Sequence, residues 1–366
     1  MKPLPVPPWI VRRLILAPLM PLLMLVFLVL LPVVVVGQAI CAAVAVVATR
    51  RRVRWRLPRV WAFAIVYLFC ETVCLLACLG LWIGSGFGAR LQTERQLRWH
   101  LGLLRKFLSA LVGVAGFVFR FRLQVEEPLA HPEDTSRMAS PRPLLVLARH
   151  AGPGASFVLV HLLLTRYDRR PRIVLKEQLR LDPSFDVLIS RIGGRFIAPG
   201  KGRPGVATQA ITEVASDLTE RDALLLYPEG GDWTPTRHRI AVAGLRRRGR
   251  RAEAARAATM PHVLPPKPAG TIAALRAAPQ ADVVVFTHTG HDELLDAVSI
   301  WDALPLRAQL RLVWWREPAA GLPDDDAARE EWLNGIWTRI DAWIGEQIEL
   351  ARLTENADPT DSTSPG

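Results

Sequence analysis

The chain has 366 residues, enough for one sizeable globular domain and an accessory part. Half of the residues are hydrophobic, and 46 lysines and arginines against 34 aspartates and glutamates leave a formal net charge of +12. Such a charge invites a nucleic-acid reading, but no aromatic-rich stacking motif or zinc-finger spacing accompanies it. The arginines instead crowd beside apolar segments, where they suit anionic lipid headgroups, so nucleic-acid binding is not expected.

From the amino end, Leu14 to Thr49 contains no charged residue and Trp61 to Gly88 contains only Glu71. Both exceed the roughly 20 apolar residues that cross a hydrocarbon core, and two such stretches argue for a membrane anchor rather than a cleaved secretory signal. Lys2, Arg12 and Arg13 precede the first. Arg50, Arg51, Arg52, Arg54, Arg56 and Arg59 separate the two, and Arg90, Arg95 and Arg98 follow the second. Basic flanks stay on the cytoplasmic side, so all three favour a re-entrant or half-buried helical anchor over two simple crossings. Pro18, Pro21 and Pro32 could supply bends. The four cysteines, Cys41, Cys70, Cys74 and Cys78, all lie in these segments; the last three share one helical face and read as small packing residues.

After residue 98, short apolar runs alternate with amphipathic stretches. Phe117, Phe119, Phe121 and Leu123 alternate with Val118, Arg120, Arg122 and Gln124, which suggests a half-buried strand. Glu126 to Pro143 reads as a loop. Strands are expected at Leu144 to Ala148, Arg172 to Leu175, Ala223 to Tyr227, Asp282 to Thr287 and Gln309 to Trp314. Helices are expected between them at Ser156 to Tyr167, Pro183 to Ile192, Pro204 to Leu218, Arg239 to Ala258 and Gly270 to Ala277. This alternation implies an α/β fold, a largely parallel sheet flanked by helices. Trp332, Ile336, Ile340, Trp343, Ile344 and Ile348 mark a closing amphipathic helix within Asp326 to Leu353. The expected organisation is thus a membrane anchor of two apolar helical segments at 1–98, an α/β domain at 99–353 and a disordered tail at 354–366.

Two stretches at strand ends carry candidate chemistry. In HAGPGAS, His150 to Ser156, a neutral imidazole at the sheet's carboxyl edge could take a proton from a hydroxyl. In YPEGGDW, Tyr227 to Trp233, Gly230 and Gly231 allow close approach of a ligand and Glu229 can accept hydrogen bonds from one. Arg237, His238 and Arg239 follow, and guanidinium forks suit phosphate. RIGGRFIAPG, Arg191 to Gly200, lies between these, and HVLPPKPAG, His262 to Gly270, comes after. HTGHD, His288 to Asp292, offers too few donors on an irregular turn for a metal site, and the surroundings of Ser156 do not fit a hydrolase elbow, so no metal is expected.

The order of these blocks resembles the glycerolipid acyltransferases of the 1-acyl-sn-glycerol-3-phosphate acyltransferase type over roughly residues 140 to 290. The family's first block is His, four residues, Asp; here His150 is followed five positions on by Ala155. Gly194, Arg195, Phe196 and Ile197 match its second block. Tyr227, Pro228, Glu229 and Gly230 follow its third, with Gly231 and Asp232 departing where it has Thr and Arg. Val263, Leu264, Pro265 and Pro266 match its fourth. The resemblance implies a membrane-bound O-acyltransferase of phospholipid synthesis, its catalytic domain facing the cytoplasm. It would move a fatty acyl group from acyl-CoA or acyl carrier protein, used as co-substrate with no bound cofactor, to a lysophospholipid or glycerol phosphate. It makes His150 the general base and places Arg195, Glu229 and Gly230 in the acceptor site. Arg237 or Arg239 could replace the missing arginine, and Asp232 could replace the missing orienting carboxylate. The partners implied are membrane lipids and the acyl donor; protein partners are left unspecified. The alternative prompted by Ala155 is a catalytically lapsed member that binds lipid or acts as a scaffold.

Overall fold

The computed structural model describes residues 5–49, 54–126, 141–152, 154–198 and 205–357. Residues 127–140 of the loop expected at Glu126 to Pro143, Arg50, Arg51, Arg52, Pro204 and the tail from residue 358 lie outside them. Among the described residues, three helices are long and apolar enough to cross a membrane: Trp9–Ala48, Arg56–Gly84 and Glu94–Phe119. The first comprises α1 (Trp9–Val11), a π-helical turn (Arg12–Leu16) and α2 (Ala17–Thr49); the others are α3 and α4. Cys74 and Cys78 are buried on α3, Cys70 is half-buried, Cys41 is exposed on α2, and all four are free thiols.

The third apolar helix corrects the expected strand at Phe117 to Gln124. Leu97, Leu101, Leu104, Leu108, Leu111 and Val112 recur at three or four and pack into the core, so the helical period governs through Phe119. Arg120 then ends α4 in the left-handed region (φ 59°), and only Leu123–Glu126 is extended, as β1. The boundary expected at residue 98 therefore falls inside α4.

Six more strands complete a seven-stranded sheet: β2 (Leu144–Ala148), β3 (Arg170–Lys176), β4 (Arg195–Ile197), β5 (Asp222–Leu226), β6 (Asp282–Thr289) and β7 (Leu310–Glu317). Their order is β1-β7-β6-β2-β5-β3-β4, and every neighbouring pair is parallel except β6 and β7. β2 is apolar at every position because helices cover both faces of the sheet. Leu144, Val146 and Ala148 pack toward one layer, which includes α4, α5 (Ala155–Thr165) and α6 (Pro183–Arg191). Leu145 and Leu147 pack toward the other, which includes α7 (Val206–Ser216), α10 (Pro268–Ala277) and α12 (Asp326–Ala357).

The expected helix at Arg239 to Ala258 is instead two, α8 (Pro235–Arg247) and α9 (Arg251–Ala258). Gly249 separates them at φ +76°, a conformation glycine takes without steric cost. A short α11 (Ala297–Ala303) precedes β7. In α12, Leu333, Ile336, Trp337, Ile340 and Ile344 form the buried stripe; Ile348 is exposed, and the helix continues past Leu353 to Ala357.

Candidate active site

β2 pairs with β5 so that Leu147 lies opposite Leu226, which brings the ends of both strands to the same level of the carboxyl edge. His150 leaves the first and Tyr227 to Asp232 leave the second. One backbone bond fastens the two loops across the gap, Trp233 N–H donating to the His150 carbonyl at 2.6 Å, and a second, from Lys267 N–H to the Pro228 carbonyl at 2.8 Å, ties the second loop to the segment before α10. Gly152 turns the first loop away at φ +72°, where a Cβ would sit 2.9 Å from the His291 carbonyl oxygen.

His150 Nδ1 lies 2.5 Å from Asp232 Oδ1. The imidazole is 27% exposed and the carboxylate 47%, so the pair opens outward. Its ring also lies against Tyr227, with centroids 4.5 Å apart. Nε2 has no hydrogen-bond partner among the described residues. The hydrogen bond from His150 draws the Asp232 carboxyl below its ordinary range; burial opposes this, and the charges of His150, Arg237 and Lys176 reinforce it. Arg237 Nη1 donates to the Asp232 carbonyl at 3.0 Å and approaches Oδ2 at 3.5 Å. An anionic Asp232 fixes Nδ1 as the protonated nitrogen and leaves Nε2 to accept a proton. Ala155, the first residue of α5, has only a methyl group to offer.

The other predicted residues are not all at this pair. Glu229, expected to touch an acceptor, is turned inward and is 2% exposed. Its Oε1 accepts from the Trp337 indole N–H at 3.2 Å, and its Oε2 from the His150 backbone N–H at 3.4 Å. It braces the loop instead, because a carboxyl group there accepts from donors of two elements that water cannot reach. Arg195 pairs in register with Val174 at the start of the edge strand, exposed, three strands from β2, about 14 Å laterally. Arg239 also departs from the expected role: it bonds Thr236 on its own helix at 3.4 Å and leaves Arg237 as the guanidinium at Asp232. Gly230 is exposed at φ +70°, and a Cβ there would meet Lys267 Nζ at 2.7 Å.

Sequence reading passed over Lys176, Lys267, Arg149 and Trp337. Arg149 is buried beneath the loops and donates to the carbonyls of His262 (2.7 Å) and His288 (2.8 Å) and to the Asp292 carboxylate. Of the candidate ligands of HTGHD, Asp292 is thereby engaged by Arg149, His291 Nε2 faces the Ala308 carbonyl at 3.3 Å, and His288 meets Arg149 through its backbone carbonyl while its buried Nε2 has no partner among the described residues. Burial pushes His288 down to about 3, so it is neutral. Among the described residues no group of three or more potential ligands is placed to hold a metal.

Burial pushes the Glu229 carboxyl up to about 8, against the pull of Arg149 and of the N–H donors around it. A carboxyl raised above its ordinary 4.5 binds its proton more tightly in the folded state. Its contribution to stability is therefore complete below pH 4.5 and is lost as pH rises toward 8, at a slope of at most about 1.4 kcal/mol per pH unit. Glu229→Gln cannot titrate, so the stability difference between wild type and variant should shift steadily in the variant's favour from pH 5 to pH 8. Thermal unfolding in detergent across that range checks this, and a difference that does not change with pH would assign the slope elsewhere.

Residues 129–265 match the family model described as Acyltransferase, a span that holds His150, Asp232 and the loops joining them. The match supports an acyltransferase domain, and together with the three apolar helices it fits a membrane acyltransferase. No curated protein and no solved structure matches the chain.

Proposed function

We propose that the protein transfers a fatty acyl group from acyl-CoA or acyl carrier protein to the free hydroxyl of a lysophospholipid or glycerol phosphate, in phospholipid synthesis. The observation that carries this reading is the His150–Asp232 pair at 2.5 Å on the carboxyl edge, within the acyltransferase-like span. Asp232 holds the Nδ1 proton, and Nε2 takes the proton of the acceptor hydroxyl as its oxygen attacks the thioester carbonyl. Collapse of the tetrahedral adduct breaks the carbon–sulfur bond, and the departing thiolate recovers the proton from the imidazolium. Lys176 and Arg237 bring positive charge to the pair, and Lys267 lies beside Gly230 on the same loop, which suits a phosphate-bearing acceptor. Arg195 could reach the far end of an extended headgroup. The domain would work on the cytoplasmic side, where thioester donors are made. The lapsed reading rests on Ala155 alone, and a carboxylate from another loop supplies what that position lacks.

The test is acyl transfer by the detergent-purified protein from labelled acyl-CoA, or acyl carrier protein, to lysophosphatidic acid. Activity is expected, and His150→Ala should reduce it by about a thousandfold. A fully folded wild type silent with both donors and a panel of lysophospholipid and glycerol phosphate acceptors would overturn the reading.

A further inference from the structure

α8 leaves the carboxyl edge at the site itself: Thr234 caps it, and Arg237 in its first turn reaches Asp232. It runs to Arg247, and after a turn at Gly249 the chain returns as α9. His238 Nε2 donates to the Ala257 carbonyl at 2.9 Å, and Val242, Leu245, Ala254 and Ala257 give the hairpin a small core of its own. Residues 246–256 hold six arginines against one glutamate, Glu253. Arg250 pairs with Glu253 and approaches Glu330 at 4.0 Å, and Arg256 pairs with Glu331 at 2.9 Å, so these two fasten the hairpin to α12. Arg246, Arg247, Arg248 and Arg251 are exposed and have no ion pair among the described residues.

Local electrostatics do not account for these four. Arg246 and Arg247 suit the negative end of α8, but Arg248 lies past it, and Arg251 opens α9 at its positive end, where a cation is unfavourable. Like charges around one turn also repel each other. An anionic partner relieves both costs. The hairpin is tied to α12, in the layer across the sheet from α4 and α6, the helices on which α3 packs. The arginines therefore sit on the far side of the sheet from the apolar helices, which favours a soluble anionic partner over a bilayer. Residues 239–258 contain no aromatic side chain on which a base could stack, which disfavours a nucleic acid or the adenine of coenzyme A.

The spacing from the site narrows the choice to a protein. Arg247 stands ten residues beyond Arg237, about 15 Å along the helix from the His150–Asp232 pair. A phosphopantetheine arm has the length of about five extended residues, or about 17 Å. A protein seated on the turn thus reaches His150 with a thioester at the end of such an arm. Exposed Ile240 lies seven residues before Arg247 on the same face of α8 and adds an apolar contact beside the charges.

We infer that the α8–α9 turn docks an acidic acyl carrier protein through Arg246, Arg247, Arg248 and Arg251, and that this protein is the thioester donor. The donor role rests on the acyl-transfer reading; the docking does not.

The full chain, purified in detergent, is compared with the triple variant Arg246→Glu, Arg247→Glu, Arg248→Glu. Binding is read first, by titrating a labelled apo acyl carrier protein, which has no arm and no acyl group. Wild type is expected to bind it, more weakly as salt rises from about 50 to 300 mM, and the variant to bind at least about tenfold more weakly. Transfer to lysophosphatidic acid is then read from palmitoyl carrier protein and from palmitoyl-CoA. The variant should lose about ten- to a hundredfold in kcat/KM with the carrier protein, through KM, and change less than about threefold with palmitoyl-CoA, which also shows that it is folded. Carrier-protein binding that survives the reversal would overturn the inference, and equal losses with both donors would overturn it in favour of a nucleotide subsite. A wild type that transfers from palmitoyl-CoA without binding the carrier protein would overturn it and leave the activity standing. Binding that the variant loses, in a wild type silent with every donor and acceptor, would support the docking surface and remove the acyl-transfer reading instead.

Discussion

Asp232→Asn is expected to lower turnover by three to four powers of ten while leaving the acceptor KM within a few-fold of wild type. The amide occupies the same volume, but it can present its NH2 to His150 Nδ1 and so stabilise the tautomer in which Nε2 carries the proton and cannot act as a base. In hydrolase triads the same exchange costs about four powers of ten, or about 5 kcal/mol of transition-state stabilisation. The geometry here has the same logic: the carboxylate contacts Nδ1 at 2.5 Å, and Nε2 has no partner among the described residues. Asp232 acts through the imidazole, so a purely structural role predicts a different signature. Loss of a structural brace would lower thermal stability and raise KM together, whereas loss of the orienter lowers kcat with stability and KM held. Ala155→Asp in the Asp232→Asn background returns a carboxylate to the position where the resembled family has one, and partial recovery is expected. If Asp232→Asn retains more than a tenth of wild-type turnover, Asp232 is not the orienter.

The residues of this pair illustrate what a linear sequence can and cannot carry. β2 was legible to the residue, since five buried positions in a row leave a continuous apolar run that loop residues bound sharply. The end of α4 was not, because the alternation from Phe117 to Gln124 competes with a helical period that starts at Leu97, and a short window sees only the former. His150 and Asp232 could each be singled out, by a strand end and by a block whose expected arginine is absent. Their meeting depends on β2 and β5 being neighbours in register, which composition does not state. Glu229 shows the converse limit. A carboxylate beside two glycines reads as a ligand contact, yet Trp337, 108 residues away, turns it inward. Arg149 was passed over because a charge at the end of an apolar run looks like the first solvated residue of a loop, while the segment at His262 and the end of β6 with its following turn close over it.

Arg149→Met is expected to cost about 3 to 5 kcal/mol, the usual consequence of removing one partner of a buried ion pair. Its guanidinium is fully buried, lies over the Trp233 ring at 5.4 Å, and neutralises an Asp292 carboxylate that among the described residues otherwise holds the Thr289 hydroxyl (2.6 Å) and the Gly290 N–H (3.0 Å). Burial alone would raise the Asp292 carboxyl; the Arg149 charge and the hydrogen bond from Thr289 bring it below its ordinary range instead. Methionine fills much of the volume but leaves the carbonyls of His262 and His288 without this donor and Asp292 without its countercharge. At about 2 to 4 °C per kcal/mol for a domain of this size, the melting temperature should fall by roughly 6 to 20 °C. Asp292→Asn leaves the guanidinium unpaired and should cost a similar amount. The double variant removes both charges together, so its loss should fall short of the sum of the single losses by about 1 to 3 kcal/mol. Thermal unfolding of the four proteins in one detergent measures this cycle. Additive losses would mean that Arg149 supports the loops through the carbonyls of His262 and His288 alone, with Asp292 a bystander. A large coupling would instead identify the ion pair as the pin that sets the height of His150, one residue along, above the sheet.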